Sequence, residues 1–205
     1  MQEAKSKGLP ECPKTNSSTV TSAIRYINDL FKDNADGHDR DHSLRVYHNA
    51  MNLSNSYPKC DRMIVALAAL LHDADDHKLF HTENNANARS FLGGQGLDEI
   101  MIEQIIMIIN EVSFSKNRGK KPGSIEGMIV QDADRLDALG AVGIARTFAY
   151  GGKNGRAMEE SIQHFHDKLL LLRDEMNTPE ARETADKRHA FLEAFLNEWN
   201  EETAG

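Results

Sequence analysis

Apolar residues recur along this chain at spacings of three and four, the period that brings side chains onto one face of a helix. Ile24, Ile27, Leu30 and Phe31 form one such stripe, with Ser18 or Thr19 placed to cap its start and Gly37 to break the chain after it. A second helix comes next, with Leu44, Tyr47, Met51 and Leu53 expected on its buried face. Asp39 or Asp41 can cap it, and Tyr57-Pro58 closes the segment. Asp61 then caps a third helix over 63–71, apolar nearly all round, which predicts the central buried helix. It terminates at His72-Asp73.

The second half continues the pattern. A short helix over 83–92 is stopped by Gly93-Gly94, and an isoleucine-rich helix covers 97–110. Isoleucine density alone would permit a strand there, but the length and the polar Glu103 and Gln104 favour helix. Residues 111–123 are polar, carry Gly119 and Pro122, and read as the main loop. Ser124 caps a helix to about Gln131. Further helices are expected over 134–150, ended by Gly151-Gly152, and over 157–176 and 179–199. No stretch alternates like a strand and no repeat is visible. The expected class is all-α, a compact helical bundle over 18–205 behind a polar, flexible lead-in over 1–17.

Composition narrows the function. Hydrophobic residues are 40% and charged residues 27%, ordinary for a soluble globular domain. No apolar run reaches the ~20 residues of a membrane helix, and MQEAKSKGLPECPKTNSS has no signal-peptide core, so a cytoplasmic location is expected. Cys12 and Cys60 have no zinc-site spacing, and a structural disulfide is not expected. The net charge of −8 argues against a nucleic-acid polymer as partner. An anionic small molecule remains compatible, because a bound cation and a few local lysines can reverse the field inside one cleft.

The candidate chemistry lies where polar residues abut buried helix ends. His42 sits early in the second helix, His72 and Asp73 close the apolar third, and Asp132 ends the apolar segment of MIVQDADRLD. A buried carboxylate without a partner is very costly, and one metal ion satisfies several such groups at once. Two imidazoles and two carboxylates suit Mn, Fe, Co, Ni, Zn or Mg better than a thiolate-seeking metal, and four ligands leave room for water and substrate. An adjacent His-Asp at a helix end is also commonly structural.

The order His42, His72-Asp73, Asp132 resembles the signature of the HD-domain phosphohydrolase superfamily. GHDRDHSLRVYHNA and LAALLHDADDHKLF are similar to the family's histidine segments. EVSFSK and VQDADRLDALGAVGIARTFAYGG resemble a small bacterial and fungal branch. The likeness runs over roughly residues 20–199. It implies His42, His72, Asp73 and Asp132 as ligands of one divalent ion, with Mn or Mg favoured for activity. The branch often carries two tryptophans where this chain has Arg40-Asp41, which changes the rim of the cleft.

Around that set, the resemblance implies that Asp76, with Asp73, orients or deprotonates the attacking water. His77 stands where relatives that hydrolyse guanosine polyphosphates often carry an acid. His38 and Arg45 fall on the His42 face, and Lys78, Lys116, Lys120 and Lys121 are candidate phosphate contacts, beside Arg118 in the same loop. Arg135 is expected behind the ligands, orienting Asp132 or Asp73. The expected activity is nucleotide phosphohydrolysis, first of all cleavage of nucleoside triphosphates to monophosphate and pyrophosphate. A nucleoside 5′-monophosphatase or other phosphoesterase on the same fold, and a non-catalytic nucleotide-binding regulator, are the alternatives. The isoleucine-rich and terminal helices offer apolar surface for a homodimer.

Overall fold

The computed structural model describes residues 17–32, 40–77 and 79–204, with the side chains of Ser17, Ser115 and Lys116 left aside. The lead-in with Cys12, together with His38 and Lys78, lies outside the described residues. Among those described, the chain forms helices and no strands, as the all-α expectation requires. In chain order these are α1 (Ser17–Leu30), α2 (Arg40–Ser54), α3 (Arg62–Leu71), α4 (Ala86–Gly94), α5 (Glu99–Val112), α6 (Phe114–Asn117), α7 (Ile125–Asp137), α8 (Gly140–Lys153), α9 (Met158–Asp167), a 3-10 helix (Leu169–Glu175) and α10 (Pro179–Thr203). Among the described residues no helix is long and apolar enough to cross a membrane.

The centre is α3, packed against α1, α2, α5 and α7. The Asp61 carboxylate accepts from the Met63 and Ile64 amides at 2.9 and 3.2 Å, which starts the helix. Every residue from Ile64 to Leu71 is buried. Leu67, Leu70 and Leu71 alone, at about 1.5–3 kcal/mol per buried side chain, hold the helix firmly enough to fix the His72–Asp76 segment beyond its last turn.

Four expectations are corrected. The buried face of α2 is His42, Val46, Ala50 and Leu53, while Leu44, Tyr47 and Met51 pack only at its edge. The stripe is rotated because it includes a histidine, which hydrophobicity alone does not place inside. The segment over 111–123 is not wholly loop, since it contains α6. The helix begun by Ser124 does not stop near Gln131 but runs unbroken to Asp137, so Asp132 lies inside it. The break falls at 138–140 instead, where Gly140 takes a φ of 70°. Gly143 then passes so close to the turn that a Cβ there would lie 2.2 Å from the Ala138 carbonyl oxygen. The expected helix over 157–176 is divided in the same way, into α9 and the 3-10 helix.

Candidate metal centre and cleft

His42 is buried on α2, and each ring nitrogen has a defined neighbour. Nδ1 lies 2.7 Å from Asp137 Oδ2, an acceptor, so in the neutral ring Nδ1 carries the proton and Nε2 is the lone-pair nitrogen open to a cation. His72, at the end of α3, donates from Nδ1 to the Ala69 carbonyl oxygen at 2.8 Å, which leaves its Nε2 as a lone pair too. The two Nε2 atoms face each other at 3.2 Å.

Two carboxylates join them. Asp73 Oδ2 is 3.4 Å from His42 Nε2 and 3.5 Å from His72 Nε2. Asp134 Oδ1 is 3.4 and 3.7 Å from the same atoms. His42, His72 and Asp134 each offer a donor atom within 4.8 Å of the others.

This arrangement fits a metal ion on geometry and on charge. Ligands bound at about 2.1 Å to one ion stand ~3.0–3.4 Å apart at the angles of common coordination shells, and the measured separations begin at 3.2 Å and extend to 3.7 Å. Without a cation the cluster is repulsive. Both carboxylates approach one nitrogen at 3.4 Å, so their oxygens lie within about 7 Å, where like charges at an effective dielectric constant of ~20 repel by at least ~2 kcal/mol. The same demand for positive charge shows on His42. Burial lowers its proton affinity, but hydrogen bonds to Asp134, Asp137 and Asp73 outweigh this and push it up to about 10. Asp134 is held below the ordinary carboxylate range, because His42 and His72 outweigh the opposing effect of burial.

Asp137 is the clamp behind His42. Its Oδ1 accepts from Arg45 Nε at 2.7 Å, and its Oδ2 accepts from Arg45 Nη2 at 3.1 Å and from Arg146 Nη1 at 2.7 Å. Burial would raise this carboxyl, yet the bonds to His42 and Arg45 hold it well below its usual range. A carboxylate behind a ligating imidazole fixes both tautomer and ring orientation.

Asp132, expected in the ligand set, is elsewhere. Its Oδ1 accepts from the Asn177 amide and Nδ2, both at 2.8 Å, and its Oδ2 from the Thr178 amide at 2.8 Å and Oγ1 at 2.7 Å. The reason is helical phase. Residues two apart on a helix point about 200° apart, whereas residues three apart share a face. Asp134 and Asp137 therefore serve the two nitrogens of one imidazole, and Asp132 faces the start of α10. Sequence reasoning missed this by ending the helix too early; the i, i+3 spacing within DADRLD was the available signal.

A cleft of about 350 Å³ opens beside the cluster, lined by His72, Asp73, Asp76 and Asp134 at one end. Asp76 faces it, while neighbouring Asp75 is used structurally, accepting from the Asn87 and Ala88 amides at the start of α4 at 2.9 and 3.0 Å. Of the expected phosphate contacts, Arg45 is spent on Asp137, and Lys120 and Lys121 are exposed and outside the cleft lining. The Lys116 side chain is not among those described. Arg135 lines the cleft but turns its guanidinium to Glu175, with Nη1 donating to that residue's carbonyl oxygen and Nη2 lying 3.1 Å from Oε2; it is not bonded to Asp132 or Asp73. Besides Arg135, the cations that line the cleft are Arg146, Arg156 and Lys168, with His77 and His164 beside them. Arg146 belongs to the VQDADRLDALGAVGIARTFAYGG segment, whereas Arg156 and Lys168 lie beyond it, with no spacing rule to connect them to the ligand motifs.

Comparison with known proteins agrees with this architecture. The HD domain family model matches residues 40–139, the span that carries His42, His72-Asp73 and Asp134. YpgQ of Bacillus subtilis (strain 168) is 39% identical over 189 residues, covering 88% of this chain and 91% of the relative. Its crystal structure in complex with ADP superposes with a TM-score of 0.80 at 33% identity, over 93% of this chain and 98% of that one. An HD-superfamily hydrolase from Bacillus thuringiensis gives a TM-score of 0.74 at 38% identity, over 92% and 99% of the two chains. At that identity and coverage, the chain belongs to the HD-domain superfamily of metal-dependent phosphohydrolases.

Proposed function

We propose that this protein hydrolyses nucleotides at a phosphorus anhydride bond, and first of all cleaves nucleoside triphosphates to monophosphate and pyrophosphate. One observation carries the reading. Two oriented Nε2 lone pairs and two carboxylates converge at the end of a cleft whose other walls bear cations. His42, His72, Asp73 and Asp134 would hold one divalent ion. Such an ion would lower the pKa of water and neutralise charge on phosphoryl oxygens. Of manganese and magnesium, the two imidazoles favour manganese, since magnesium prefers oxygen donors.

The chain's own residues supply the rest. Asp137 and the Ala69 carbonyl keep both imidazoles in the ligating tautomer. Asp76, on the turn after His72-Asp73 and facing the cleft, orients the attacking water and takes its proton. Cations along the wall meet the negative charge of the phosphates. That the similar YpgQ was crystallised with ADP supports a nucleotide as ligand.

The test is an activity screen of metals against nucleotides that measures phosphate and pyrophosphate separately. Pyrophosphate release from triphosphates is expected; phosphate release from 5′-monophosphates instead would move the protein to the monoesterase reading. His72→Ala and Asp73→Ala should each lose metal and turnover together, and retained turnover in either sinks the site.

A further inference from the structure

Resting on the hydrolase reading, we infer that Arg146, Arg156 and Lys168 form a phosphate-reading wall that selects ligands with a chain of phosphates over those with one. The three come from different elements: Arg146 from α8, Arg156 from the turn after it, and Lys168 from the junction of α9 and the 3-10 helix. All line the cleft that ends at the ligand cluster.

Each is held by a neighbour in or beside that cleft. Arg146 donates to Asp137 at 2.7 Å, so the cation nearest the centre shares a carboxylate with His42. The Arg156 guanidinium carbon lies 5.4 Å from the centroid of the Tyr150 ring, and Lys168 Nζ lies 5.1 Å from that of Phe114. Both rings line the same cleft. An aromatic face fixes where a cation sits. The wall is thus positioned before any ligand arrives, which is what makes binding energy available for discrimination.

Charge decides the ligand class. A divalent ion held by Asp73 and Asp134 would already be balanced by two carboxylates, and Asp75 and Asp76 add two more in the cleft. The ligand end therefore contributes little net attraction for a multiply charged anion, and the compensating charge must come from further along. One phosphate would need one of these cations; three on separate elements match an extended polyphosphate. The loop lysines Lys120 and Lys121, exposed and outside the lining, do not take this role.

The probes are inorganic tripolyphosphate and orthophosphate, titrated calorimetrically into the metal-loaded protein. The double variant Arg156→Gln/Lys168→Gln should lose about 30- to 100-fold in tripolyphosphate affinity, at about six- to tenfold for each charge-assisted contact. Its orthophosphate affinity should change less than about threefold, the scale of a screened charge at a distance. Lys120→Gln/Lys121→Gln should leave both affinities in place, and the charge-preserving Arg156→Lys/Lys168→Arg should recover most of the loss. Unchanged tripolyphosphate binding in the glutamine variant, an equal loss for orthophosphate, or the loss appearing in the loop variant overturns the assignment. Turnover is read separately. A protein that hydrolyses nothing but still loses tripolyphosphate binding in the glutamine variant keeps the wall and forfeits the hydrolase reading.

Discussion

Replacing Asp132 with alanine removes the acceptor of four hydrogen bonds at the start of α10. Two of the donors are the backbone amides of Asn177 and Thr178, which have no helical partner of their own at that end. Leaving each without an acceptor costs about 1–3 kcal/mol. Burial pushes the Asp132 carboxyl up despite its bonds, so the charge itself returns less than four ionic hydrogen bonds would suggest. A net loss of about 3–4 kcal/mol is expected, near the upper end for single substitutions. At roughly 2–4 °C per kcal/mol for a chain of this size, the melting temperature should fall by about 10 °C. Asp134→Ala should do the opposite: lose the metal but, with repulsion from Asp73 relieved as the attraction to His42 is lost, shift the metal-free melt by only ~2 °C or less. Thermal melts in chelator, beside elemental analysis of the same preparations, separate the two. If Asp132→Ala strips the metal while melting like the wild type, the division of roles along α7 is wrong.

Asp137→Asn should weaken metal binding by about 10–100-fold, measured by chelator competition, because an amide cannot hold His42, Arg45 and Arg146 together; unchanged affinity would show that Asp137 does not act as the clamp. Asp76→Ala should keep its metal yet lose about 10²–10⁴ in kcat, the usual range for a proton-transfer group, and a variant with normal rate would exclude Asp76 from the chemistry. Tyr57 donates to Glu180 Oε2 at 2.6 Å, and burial, with Glu180, pushes the phenol up to about 12. The unfolded phenol ionises first, near ~10, so this contribution to stability is full below that pH and lost as pH rises through the folded value. The wild type should therefore lose its advantage over Tyr57→Phe across that alkaline window, and a melting difference independent of pH would contradict the pairing.

Strongly periodic apolar segments were readable from the chain alone. The central helix and its Asp61 cap, the isoleucine-rich helix and the long last helix need only one buried face to declare themselves. His42, His72 and Asp73 stood out as candidates because each sits where a helix meets the core, and the family resemblance set them as a group. What was not readable is concentrated in QDADRLDALG. Gln131, Asp132, Arg135 and Asp137 are all buried there, each with its own partner on another element. A polar run of that kind looks like the end of a helix, because hydropathy registers the polar groups and not the partners that satisfy them. The cleft cations escaped for another reason. Arg156 and Lys168 join the site only through the packing of α8, α9 and the 3-10 helix, which no local spacing encodes.

α7 has a consequence for how this protein can change. Along one uninterrupted helix, Asp132 tethers α10, Asp134 faces the histidines and Asp137 clamps His42. An inserted or deleted residue upstream turns everything beyond it by about 100° and slides it by about 1.5 Å. A substitution severs one of these connections; a change of length by one residue severs all three while leaving every side chain intact. The count of residues from Ser124 to Asp137 is thus as binding as their identity. Chain length in this protein should vary at the surface turns and stay frozen along this rod.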